Sequence, residues 1–203
     1  MKVFNLTNSN KKAMEFGRIT IRLAPVPDFA KDEYSPSQIE FYAKITDLVY
    51  RALNLDSFND FLKELVVTLD IRKDIEVRIM RLPSYRSRIL GISKKGRILD
   101  EQLRGRSWKN RALIDVFPDR LFPDKLSTQL LNVGLRGLIL NSSVRAIIHE
   151  ILHKSGLNDE TRVRELTEHY YRDFRRKHIQ AFDEELKPLL KEWKQFKTST
   201  HYS

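Results

Sequence analysis

The chain has 203 residues, 41% of them hydrophobic, which is enough for one domain or two small ones with a substantial core. It has no cysteine, so disulfides and thiolate metal sites are excluded, and it contains no apolar run of membrane-spanning length. A net charge of +10 admits nucleic acid or acidic proteins as partners, although basic and acidic residues alternate along most of the chain.

Met1-Lys2-Val3-Phe4-Asn5 shows no signal-peptide pattern, so the expected location is cytoplasmic, with no membrane contact. Phe16 to Leu23 alternates apolar and polar residues and predicts a strand, closed by the Pro25/Pro27 loop. Ser35-Pro36-Ser37-Gln38 opens a helix running to about Leu53, with Pro36 near its first position. Ser57 to Leu69 reads as a second helix carrying Phe58, Phe61, Leu62, Leu65 and Val66. Ile75 to Leu82 alternates as a strand, and Ser87–Ile92 with Arg97–Leu99 form a hairpin around Lys94-Lys95-Gly96. Ala112 to Phe117 is a further short strand, ended by Pro118. Leu126 to Leu140 is apolar with Gly134 and Gly137 and fits either helix or strand. Phe182 to Phe196 is helical with a charged outer face. The densest basic clusters, Arg104-Arg106-Lys109-Arg111 and the run Arg172 to Lys177, read as solvated faces. The expected fold class is α+β. A helix-rich N-terminal region spans residues 1–70, and residues 71–203 form a core with a small, mostly antiparallel sheet and a C-terminal helix.

Between these elements lies His149-Glu150-Ile151-Leu152-His153, an H-E-x-x-H segment. On a helix, two histidines four residues apart share a face, and two neutral imidazoles there can hold one Zn²⁺ with the glutamate within reach of a water. Ser142 or Ser143 is suited to N-cap this helix and Gly156 to end it. Val144, Ile147, Ile148, Ile151 and Leu152 make an apolar stripe, with both histidines on nearly the opposite side.

A catalytic zinc usually takes three protein ligands and a water. Asn158 or Asp159 caps a second helix, whose buried stripe is Val163, Leu166, Tyr170 and Phe174. Glu160 lies at the edge of that stripe and faces the motif helix, which makes it the chosen third ligand. Asp159 is the alternative, because His149 to Asp159 also reads H-E-x-x-H-x-x-G-x-x-D. That metzincin pattern requires a methionine turn downstream, and Met1, Met14 and Met80 all lie upstream.

His149 to Phe174 resembles the gluzincin branch of zinc metallopeptidases, especially the compact ImmA/IrrE-like and phage-encoded forms. In those proteins a Glu-x-x-Ala/Val segment on the following helix gives the third ligand, and Glu160-Thr161-Arg162-Val163 matches it. The spacing from His153 to Glu160 is shorter than in the large gluzincins, and Arg164 stands where those enzymes often carry Asp or Asn. The resemblance implies a zincin-like fold and a zinc metalloendopeptidase acting on proteins or peptides. His149, His153 and Glu160 would bind Zn²⁺ and Glu150 would be the general base. In that fold an edge strand binds the substrate chain, and Ala112 to Phe117 is a candidate edge or an interior strand. His169, Tyr170, Tyr171 and His178 are oxyanion-donor candidates by sequence proximity, with Tyr170 expected in the core and the other three at the surface. The first rival reading is a basic nucleic-acid-binding or regulatory protein in which the histidine helix is structural or has lost its metal, and the second is a viral or mobile-element protein that uses the domain for a host interaction.

Overall fold

The computed structural model describes residues 15–25, 35–80, 105–118 and 134–199. Strand β1 (Ile19–Leu23) leads to helix α1 (Pro36–Leu53). Pro36 takes the first helical position, where its missing N–H leaves no bond unmade. Helix α2 (Asp56–Thr68) buries Phe58, Phe61, Leu62, Leu65 and Val66, as its sequence period requires. It ends at Asp70, which adopts a φ of 52° and turns the chain back toward the sheet. Strands β2 (Ile75–Ile79), β3 (Gly105–Ser107) and β4 (Leu113–Val116) follow. A continuous helical stretch then runs from Gly134, through a π-helical turn at Ile139–Val144, into α3 (Arg145–Lys154). Helices α4 (Glu160–Lys177) and α5 (Ile179–Ser199) complete the described chain. The expected hairpin at residues 87–99 and the stretch 126–133 lie outside the described residues.

The fold is α+β, and the described strands form a four-stranded sheet in the order β1-β2-β4-β3. A mostly antiparallel sheet was the expectation, and here the structure differs. β1–β2 and β2–β4 pair in parallel, and only β3–β4 is antiparallel. The connections account for this. Both α1 and α2 lie between β1 and β2, a crossover long enough to return the chain to the same end of the sheet. Only β3 and β4 are joined closely enough for a hairpin. The Ala112–Phe117 strand, seen as β4, is interior, and among the described strands β3 forms the edge beside it.

Strand alternation divides the sheet's two faces. Ile75, Val77 and Ile79 of β2 and Ile114 and Val116 of β4 enter the main core. Arg78 and Asp115, directly opposed on β2 and β4, project to the other face. Asp115 is fully buried. Its Oδ1 accepts from Arg78 Nε at 2.8 Å and its Oδ2 from Trp108 Nε1 at 2.7 Å. A buried carboxylate without such donors would cost several kcal/mol, so these bonds fix the β3–β4 connection onto β2.

One core cluster runs from Ile21 on β1 to Trp193 on α5, so the region before residue 70 and the rest of the chain pack together. Phe174 of α4 lies among Phe58, Phe61 and Phe182 at centroid distances of 5.6, 5.1 and 5.4 Å, which ties α4 to α2 and α5. Among the described residues no helix is long and apolar enough to cross a membrane.

Two local expectations are corrected. Ser142 and Ser143 do not cap a helix. They are buried inside the π-helical turn, because the helix begins further upstream and runs through them. The buried stripe of α4 is Val163, Thr167, Tyr171 and Phe174, with Leu166 and Tyr170 only partly buried. Docking on both α3 and α5 turns the helix slightly from the side its most apolar residues suggest.

Candidate metal centre

The site is built from the turn between two packed helices. Val144, Ile147, Ile148, Ile151 and Leu152 are fully buried against the core, which points the opposite side of α3 at α4. Gly156 ends α3 with a φ of 101°. Its N–H donates to His153 O at 3.1 Å and Leu157 N–H donates to Leu152 O at 3.3 Å. Asp159 then caps α4, its Oδ1 accepting from Thr161 N at 2.9 Å and Arg162 N at 3.4 Å. This cap sets the phase of α4 and places Glu160, its first residue, over the histidines.

Three side chains converge there. His149 Nε2 and His153 Nε2 are 3.2 Å apart. Glu160 Oε1 lies 3.2 Å from His153 Nε2, and its Oε2 lies 3.6 Å from His149 Nε2. Ligands placed tetrahedrally at about 2.0–2.1 Å from zinc are separated by about 3.4 Å, so the three spacings suit a single ion. Within the described residues, His149, His153 and Glu160 are the one group of this kind. Asp159, the alternative ligand, has its carboxylate committed to the α4 cap.

The far sides of both rings decide which nitrogen faces the centre. His153 Nδ1 lies 2.9 Å from Leu157 O, and a carbonyl can only accept, so Nδ1 carries the proton. Thr167 Oγ1 donates to Val163 O at 2.7 Å and therefore accepts from His149 Nδ1 at 3.4 Å. With both rings neutral, both Nε2 atoms would present lone pairs to the same point, next to a carboxylate. Three acceptors with no hydrogen between them repel unless a cation joins them. Burial, with His153 next in effect, holds the His149 imidazolium below its ordinary pKa against the opposing pull of Glu160; Arg164 adds to the lowering. The neutral ring is the form that binds metal.

Glu150 occupies the neighbouring side of α3, against β3. It is 7% exposed, and the Ser107 backbone N–H donates to its carboxylate. A Cβ on Gly105 would sit 2.7 Å from Glu150 Cγ and 2.9 Å from Oε1, so only glycine leaves room for this side chain. Burial pushes the carboxyl up to about 7, opposed by His153 and the Ser107 N–H. Lys154 fastens the end of α3 to the β3–β4 connection, donating to the carbonyls of Trp108 and Arg111, the latter at 2.6 Å.

The four oxyanion-donor candidates are engaged elsewhere. Tyr171 donates to Asn141 Oδ1 at 3.3 Å, His169 Nε2 lies 3.7 Å from Asp173, and His178 Nε2 lies 3.4 Å from Glu64. The Tyr170 ring packs against His169 at 5.2 Å. Tyr171 is buried and His178 stacks on Phe174, so neither faces solvent as expected. Sequence reasoning missed the parts that support the ligands. Thr167 had one signal, a polar residue in the middle of an apolar stripe. Gly105, Ser107 and the Leu157 carbonyl had none, since their roles depend on tertiary approach.

No protein-family model, curated protein or solved structure matches the chain.

Proposed function

We propose that the chain is a zinc-dependent metalloendopeptidase of zincin type. The reading rests most heavily on one observation: both histidines have their Nδ1 atoms held by acceptors, and their Nε2 atoms converge with the Glu160 carboxylate. His149, His153 and Glu160 would hold the ion. Zinc held there supplies a Lewis acid and a water acidified toward neutrality. Glu150 receives the proton of the attacking water on its carboxylate and returns it to the leaving amine. The Ser107 N–H keeps that carboxylate oriented, and Gly105 leaves it the space to stand between β3 and α3. Because β3 is the edge among the described strands and lies next to Glu150, an extended peptide added along it would bring a backbone carbonyl to the site.

The test is hydrolysis of a mixed peptide library by protein purified without chelator. Glu150→Gln should keep its zinc and lose about 10²–10⁴-fold in rate, while His153→Ala should lose both metal and activity. Undiminished hydrolysis by Glu150→Gln, or none by the zinc-loaded parent chain, would refute the assignment.

A further inference from the structure

A cavity of about 530 Å³, separate from the three ligands, opens between the turn after α2, the β3–β4 connection and the C-terminal end of α3. Its rim carries Arg72, Lys73, Lys109, Arg111 and Lys154. Asp70 is the one acid among the described lining residues, and it is paired with Arg72. Lys73, Lys109 and Arg111 are exposed and have no acidic partner among the described residues. Ile71 and Ile75 give the cavity an apolar floor.

The cationic walls are held in place. Gly17 N–H donates to Ile71 O at 3.0 Å, and a Cβ on Gly17 would lie 2.2 Å from Lys73 O, so the segment leading into β1 clamps the turn that carries Arg72 and Lys73. The Arg72 guanidinium lies 4.2 Å from the Phe16 ring centroid. Across the cavity, Trp108 lies against Arg106 and Arg111 at 4.2 and 5.6 Å, and its own Nε1 is anchored to the buried Asp115. A guanidinium stacked on a ring, as Arg111 is on Trp108, loses less freedom on binding.

We propose that this cavity binds single-stranded nucleic acid, with phosphodiesters at the Lys73, Lys109 and Arg111 rim and a base against the Ile71/Ile75 floor. The cavity's size lies within the range that encloses a small ligand. A bilayer surface does not enter a concavity of this kind. A run of Asp and Glu supplies charge but no flat apolar group for the floor. A chain of phosphates alternating with bases supplies both. The net charge of +10 adds long-range attraction for a polyanion.

The experiment is fluorescence anisotropy of the full chain with labelled oligo-dT and oligo-U across a salt series. The combined variant Lys73→Glu, Lys109→Glu, Arg111→Glu should bind at least about tenfold more weakly. The slope of log K against log salt should fall by about 2, three contacts at about 0.7 each. The milder pair Lys73→Gln, Lys109→Gln should lie between the two, and circular dichroism checks that both variants are folded. Reversing Lys191, Lys194 and Lys197 on α5 should leave binding within about twofold, as should Glu150→Gln, which separates this site from the peptidase reading. Equal loss from the α5 reversal, unchanged binding by the cavity variants, or equal displacement of the oligonucleotide by polyglutamate or anionic vesicles would overturn the proposal.

Discussion

His149 and His153 owe the direction of their Nε2 atoms to two acceptors on the next segment, the Leu157 carbonyl and the Thr167 hydroxyl, which face their Nδ1 atoms. Thr167→Val keeps the shape of that side chain and removes the acceptor, so zinc affinity should fall about tenfold or more. Competition against a chromophoric chelator measures this, and an unchanged affinity would reduce Thr167 to a packing role. Glu150 makes a second prediction. Its carboxyl, ordinarily near 4.5, is raised to about 7 by burial, so the folded metal-free chain binds this proton more tightly than the unfolded chain. Below the lower value both states are protonated and there is no penalty. The penalty grows between the two values and is complete above the higher one, reaching about 3 kcal/mol. The metal-free protein should therefore lose stability as pH rises through that window, and Glu150→Gln should abolish the loss. Urea unfolding with chelator at about pH 5 and about pH 8 compares them, and an equal loss in both proteins would contradict the burial argument. The histidine pair and Glu150 were legible at this scale because their spacing alone implies a shared helical face. Ser107 and Gly105 were not, because nothing local marks a backbone N–H or a missing Cβ as a neighbour of Glu150.

The α3–α4 turn turns two helices into a site. Asp159 and Glu160 are adjacent acids with different tasks, one closing the N-terminus of α4 and the other facing the imidazoles. Asp159→Ala should cost about 1 kcal/mol of stability and leave zinc content unchanged. Glu160→Ala should release zinc with little change in the metal-free melting temperature. Metal analysis and thermal unfolding of the two variants test the division, and a greater zinc loss from Asp159→Ala would reverse the ligand assignment. The end of α3 was readable because Gly156 adopts the left-handed conformation that its residue type favours. The start was not. Ser142 and Ser143 have the chemistry of a cap, yet the chain is already helical when it reaches them, and a π-helical turn absorbs them. The face of α4 was misread by about one residue, since Tyr170 and Tyr171 are chemically equal and only the helices on both sides decide which is buried.

At the level of the whole molecule, the site depends on a sheet whose order places β3 beside α3. The strand periods of β1, β2 and β4 were visible, because their apolar residues enter a common core at every second position. Strand direction was not, since it depends on how the helices between β1 and β2 return the chain. β3 is three residues long, too short to show any period, and it still supplies both backbone features that contact Glu150. Under the proposed function, one divalent ion sits where α3 and α4 meet. Anomalous diffraction at the zinc edge, on crystals of protein purified without chelator, measures this most directly. The account predicts a single strong peak bonded to His149 Nε2, His153 Nε2 and a Glu160 oxygen at about 2.0–2.2 Å. A stoichiometric peak elsewhere, or none between these side chains in zinc-supplemented crystals, would contradict it.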